Sequence, residues 1–141
     1  MKILNERGMT LVEVLVAVTI ITVGLTAIAT GMQVATSGIN TGQQETTAAF
    51  LAEQKIEDIK AFALSTAAAQ GFANVTAANF PAEAYGTIAG GYNGYRRTTT
   101  VNNPSATMKV VIVKVFYVPV GVSRSANAER ELALTTVLRN R

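Results

Sequence analysis

The sequence predicts an α+β protein. A long N-terminal helix, membrane-spanning and then amphipathic, packs on a small antiparallel sheet of three to four strands. Three observations carry that reading. Residues 9–32 hold 16 strongly apolar residues and a single charge, Glu13. Residues 43–64 place Ala49, Ala52, Ile56, Ile59 and Ala63 at steps of three and four. Residues 95–138 contain three runs rich in Thr, β-branched or aromatic residues, with turn-forming residues between them.

Each element has its own grounds. Twenty-four helical residues reach about 36 Å, enough to cross a hydrocarbon core of about 30 Å. Lys2 and Arg7 precede the apolar run and the next basic residue is Lys55. The positive-inside rule therefore places the N-terminus in the cytoplasm and the rest of the chain, from residue 33, outside it. Residues 33–64 continue the helix as its amphipathic half, with Leu51 and Phe62 flanking the apolar stripe and Glu53, Glu57 and Lys60 facing away. Gly38, Asn40 and Gly42 lie at the joint between the halves. Each costs up to about 1 kcal/mol in a helix, so a loosened or locally melted joint is expected there.

Residues 65–94 hold five of the 11 glycines and Pro81, and read as an irregular connection with one helical turn. The expected strands are 95–101, 108–118 and 131–138, the last with Leu132, Leu134, Thr136 and Leu138 on one face. Asn102-Asn103-Pro104-Ser105 is the expected hairpin turn, and Pro119 ends the second strand. Residues 65–141 alone could bury only a thin core, so the apolar face of the helix is the second layer. The expected organisation is a lollipop: a short basic stretch 1–8, apolar helix 9–32, amphipathic helix 33–64 and head 65–141.

Composition closes off much chemistry. The chain has 141 residues, 49% hydrophobic and 15% charged, with no His, Cys or Trp. Zinc sites of the usual kind, His-dependent nucleophiles and redox pairs are excluded, and no other constellation speaks for an enzyme. No cofactor or metal is expected. The net charge of +3 is unevenly placed: residues 96–141 carry eight Lys or Arg against Glu129 and Glu131. Arg96, Arg97, Lys109 and Lys114 form a candidate anion-facing surface there, for nucleic acid or lipid, with a solvated set of strand charges as the plainer reading.

The N-terminus reads MKILNERG followed by MTLVEVLVA. This resembles the processing site of type IV pilins and type II secretion pseudopilins: a short basic leader ending in Gly, a hydrophobic residue, then T-L-x-E and an apolar helix. With LAEQKIEDIK further on, the likeness covers roughly residues 5–62 and is nearest to the minor pilins of the type IV pilus modification class and to the minor pseudopilins. It implies that a prepilin peptidase cuts between Gly8 and Met9 and N-methylates Met9. It also implies that the subunit waits in the lipid bilayer until an inner-membrane assembly platform moves it into a filament with the major pilin and other minor pilins. Met9 stands where the family most often has Phe. Thr30 stands where major pilins usually carry a proline, and the disulfide loop frequent in major subunits is absent, so the resemblance favours a minor subunit. An ordinary secretory signal would be cut after Ala29; Glu13 inside the apolar run argues against it.

Glu13 is a carboxylate at the edge of the hydrocarbon, where an unpartnered charge costs about 2.5–3.5 kcal/mol on insertion scales. The resemblance gives it a partner, the new amine of a neighbouring subunit, which sets register. At about 100° per residue, Gly24, Gly31, Gly38 and Gly42 fall on the face of Glu13. Thr19, Thr22, Thr26 and Thr30 fall nearly opposite. Glycines permit close backbone approach and threonines hydrogen-bond between helices, so two packing seams are expected. Three functions stay open: a minor pilin, a minor pseudopilin of type II secretion, and a DNA-binding minor pilin for DNA uptake.

Overall fold

The computed structural model describes residues 9–120 and 128–140. The elements run α1 (Leu11–Leu64), two short 3-10 turns (Phe72–Asn74 and Ala77–Asn79), β1 (Tyr95–Ser105), β2 (Met108–Tyr117) and β3 (Arg130–Arg139). The chain forms two compact units, Met1–Ile39 and Asn40–Arg141.

The described part of the first unit is helical from Leu11 onward, and its apolar side chains are uncovered. Leu11 is 81% exposed, Ile20 67% and Ile28 62%. An 18-residue stretch of α1 has mean hydropathy 2.4 and none of it is buried. Apolar on every side and long enough to span a bilayer, this segment meets the physical requirements of a membrane helix. No melted segment appears at the joint: α1 is helical through Gly38, Asn40 and Gly42. Interrupting a helix forfeits several hydrogen bonds and requires a second nucleation, which outweighs the propensity cost of three poor formers.

The second unit is two-layered. Ala48, Leu51, Ala52, Ile56 and Ile59 of α1 are buried against Val111, Val113, Val115 and Tyr117 of β2 and Leu138 of β3. Burying each such Val, Leu or Ile stabilises by roughly 1.5–3 kcal/mol. The stripe is rotated slightly from the expected one, since Ala48 rather than Ala49 is fully enclosed. Leu51, expected at the flank, is at its centre. The connecting segment closes the remaining side with Val75, Phe80 and Ile88, and Phe80 meets Phe62 edge-on at 5.1 Å.

The sheet has order β1-β2-β3, antiparallel throughout. β2 is central and alternates strictly, every second residue from Lys109 to Tyr117 being buried. A fourth strand is reduced to one bridge, in which Glu83 and Arg97 exchange two backbone hydrogen bonds of 2.8 Å on the outer edge of β1. The expected turn at Asn102–Ser105 is also displaced. β1 runs on to Ser105, which pairs with Met108, leaving Ala106 and Thr107 as the turn. The register shifts between Asn102 and Ser105. Pro104 occupies that irregularity, where its missing N–H removes nothing from the ladder.

Candidate functional site

The end of the helix nearest the expected cleavage point is built by two side chains. Met9 and Thr10 lie outside the helix, which opens at Leu11. The Thr10 backbone N–H donates to Glu13 Oε2 at 3.3 Å, and the Glu13 backbone N–H donates to Thr10 Oγ1 at 3.3 Å. Val14 N–H closes the first turn on the Thr10 carbonyl at 3.1 Å. This is a reciprocal capping box, in which each residue satisfies a backbone donor that the helix itself leaves unpaired. The carboxylate also faces the positive end of the helix dipole. Glu13 therefore has a local anchor before any neighbouring chain is present. Sequence reasoning passed over Thr10, although Thr-x-x-Glu before an apolar run is the signature of such a box. Gly8 lies outside the described residues; Met9 is 67% exposed.

The two expected seams occupy exposed helix surface. A Cβ placed on Gly24, Gly31, Gly38 or Gly42 would meet nothing within 4 Å. On the other face, Thr19 and Thr22 donate to the carbonyls of Leu15 and Val18 at 2.8 and 2.7 Å. Thr26 and Thr30 donate to those of Thr22 and Thr26, both at 3.0 Å. Each hydroxyl proton is already used within the helix, so this face offers acceptors rather than donors to a neighbour.

The expected basic surface does not assemble. Arg96 and Arg97 are consecutive on a strand and point to opposite faces, as do Lys109 and Lys114. Arg97 is 5% exposed. Its Nε and Nη2 donate to the two oxygens of Glu83, and its Nη1 to the Leu51 carbonyl at 2.7 Å. Lys55 adds a 3.3 Å contact to the same carboxylate. Burial alone would raise the carboxyl pKa of Glu83. The hydrogen bonds and charge of Arg97, with the charge of Lys55, outweigh that and hold it below its ordinary value. Lys109 is 8% exposed and donates to the carbonyls of Ala73 and Val75 at 3.0 and 2.8 Å, with its ammonium 5.1 Å from the Phe72 ring centre. These two cations fasten the connecting segment and helix to the sheet.

On the other sheet face, Arg96 pairs with Glu129 at 2.6 Å and stacks 3.7 Å over Phe116. Lys114 pairs with Glu131 at 2.7 Å. The four charges therefore form no single surface: Arg97 and Lys109 are buried, and Arg96 and Lys114 lie on the other face, each paired with a glutamate. Arg124 and Arg141, also counted in the basic C-terminal third, lie outside the described residues. Among the described residues no group of three His, Cys, Asp or Glu comes together to hold a metal. A depression beside the end of α1 is lined mainly by Ala63, Leu64, Phe72, Val137 and Leu138, with Lys60 and Arg139 at its rim. It gathers no acid–base pair.

Comparison with known protein families gives a match at the N-terminus. A family model described as the prokaryotic N-terminal methylation motif covers residues 3–29. It spans the expected cleavage point, the capping box and the first turns of the uncovered helix. No curated protein and no solved structure matches the chain.

Proposed function

On the premise that this chain is a type IV pilin-like protein carrying a prepilin-type methylation motif, we propose that it is a minor pilin. A prepilin peptidase removes residues 1–8 by cutting between Gly8 and Met9, and methylates the new amine of Met9. The apolar part of α1 anchors the subunit in the inner membrane, with the second unit outside the cytoplasm. The assembly platform then draws it into a filament among the major pilin and other minor pilins. In the filament the apolar helix exchanges lipid for neighbouring helices, Glu13 meets the amine of an adjacent subunit, and the Gly and Thr faces form the contacts.

The observation that carries this reading is the methylation motif lying directly on a helix whose apolar side chains are exposed among the described residues. Such a surface is stable only against lipid or against like helices. Thr30 and the absence of cysteine support a minor rather than a major subunit. Deleting the gene and scoring filament formation, motility and protein secretion side by side tests the assignment. Loss of filaments or motility with secretion intact is the expected result. Loss of secretion alone assigns the chain to the type II system as a minor pseudopilin. DNA uptake draws no support from Arg97 and Lys109, whose charged groups are bonded inside the protein.

A further inference from the structure

β3 is an edge strand, and its outer edge differs from that of β1. The edge of β1 is closed at Arg97, whose backbone N–H and C=O both bond Glu83. Along β3 no such cover lies among the described residues. The Asn140 N–H donates to the Thr107 carbonyl, toward β2. Backbone groups alternate in an antiparallel ladder, so the even-numbered residues 132–138 bond β2, while Glu131, Ala133, Thr135, Val137 and Arg139 turn theirs outward. β3 pairs with β2 along its whole length without a register shift. Between Glu131 and Arg139 it has no charge, proline or glycine. Charges, prolines and bulges are the devices that normally keep an exposed edge from pairing.

The space beside that edge is open as well. Val111, Val113 and Val115 of β2 are fully buried, yet their partners on β3, Thr136, Leu134 and Leu132, are only half-buried. The layer of α1 therefore stops short of the edge. A groove of about 370 Å³ lies between Ile56, Glu57 and Lys60 of α1 and Leu134 and Thr136 of β3. The depression of about 550 Å³ at the end of α1 shares Lys60 with it and continues it past Leu138.

We propose that the β3 edge receives an extended strand from a neighbouring subunit of the assembly, which adds a fourth strand to the sheet. A row of outward N–H and C=O groups is matched along its length by another extended backbone, and the groove beside it takes every second side chain. The added strand is therefore apolar at alternate positions, where it meets Leu132, Leu134 and Ile56. It carries an acid opposite Arg139, which has no ion-pair partner among the described residues, whereas Glu131 at the other end already holds Lys114. The proposal rests on the reading of the chain as an assembling subunit, and it adds a contact of the second unit to those of the apolar helix.

Substitution at Thr135 separates backbone pairing from side-chain packing. Its N–H faces the open edge, and proline is tolerated at such a position because no bond to β2 is lost. Thr135→Pro is expected to keep a native urea midpoint in micelles. Its incorporation into filaments at equal expression should fall about tenfold, the effect of one lost hydrogen bond. Thr135→Ala keeps the N–H and should stay within about twofold of native. Arg139→Glu should lower incorporation about fivefold by facing the acid with a like charge. Amide hydrogen exchange of the native chain supplies a readout without any substitution. The amides of Ala133, Thr135 and Val137 should exchange freely in micelles and slow at least about tenfold in filaments, while those of Leu134 and Thr136 change little.

Native incorporation of Thr135→Pro overturns the proposal, and so does a Thr135→Ala chain as impaired as Thr135→Pro, since a side chain rather than the backbone would then make the contact. If Thr135→Pro does not fold, the exchange measurement decides. Outward amides already protected in micelles overturn the proposal, because the edge is then covered within the chain. Outward amides that stay unprotected in filaments overturn it too, as does native incorporation of Arg139→Glu. A native chain absent from every filament defeats the assembling-subunit reading and this proposal with it. A native chain present there, with Thr135→Pro equally present, defeats the edge alone.

Discussion

The two units solve the problem of a mostly apolar chain in opposite ways. In Asn40–Arg141, apolar side chains are enclosed by their own sheet and connecting segment, and buried cations are met by carboxylate or carbonyl oxygens. In the described part of Met1–Ile39 the apolar side chains have no cover, while the polar ones are satisfied locally, by i−4 hydroxyl bonds and the capping box. The first region therefore depends on its surroundings, and the second builds a core of its own. Substitutions in the core of the second unit should register as stability. Those in the first should register as partition, processing or assembly.

The largest expected effect breaks the second unit at its buried charge. Arg97→Ala leaves the Leu51 carbonyl without its donor and Glu83 with Lys55 alone, and loss of one partner of a buried pair costs about 3–5 kcal/mol. Urea unfolding of the full chain in micelles, followed by near-ultraviolet dichroism of its tyrosines, should show the unfolding free energy fall by that amount. Leu51→Ala comes next. It empties a fully enclosed position and should cost about 2–5 kcal/mol in the same assay.

A smaller effect sharpens the electrostatic part. The folded-state pKa of Glu83 is lowered, so its stabilisation is fully present above the ordinary carboxylate pKa. It is lost as the pH falls from there through the lowered folded value. Stability of the native chain should decline across that acid range, and Glu83→Gln should flatten the decline while lowering stability at neutral pH. An unchanged acid profile in Glu83→Gln would remove Glu83 from the account.

The smallest effect on stability falls in the first unit, and there the comparison is sharpest. Nothing lies within 4 Å of a Cβ placed on Gly31, so Gly31→Leu should leave the unfolding free energy within about 0.5 kcal/mol of native. Incorporation into filaments at equal expression should nonetheless fall more for Gly31→Leu than for Val23→Leu. Equal incorporation would remove the glycine seam.

How much of this was legible in the sequence depended on the range of the interaction concerned. The helix, the three strands and the buried stripe follow from local periodicity, and the inward set Leu132, Leu134, Thr136 and Leu138 follows from strand parity. The capping box was readable too, from Thr10 and Glu13 three residues apart. What escaped is tertiary. Asn102-Asn103-Pro104-Ser105 has turn chemistry, yet the pairing of β1 with β2 carries the strand four residues further, to Ser105, and places the proline in a bulge. Arg97 reads as a surface charge until its partners are known, and these lie 14 and 46 residues away. Parity could have warned that Arg96 and Arg97 cannot share a face. It could not have found Glu83.

Intact-mass measurement of the chain, with and without a prepilin peptidase in the same membranes, tests the central claim most directly. The account predicts loss of residues 1–8 in the presence of the peptidase, leaving Met9 as the N-terminus with one added methyl group. An unchanged mass, or loss of residues 1–29 whether or not the peptidase is present, would contradict it.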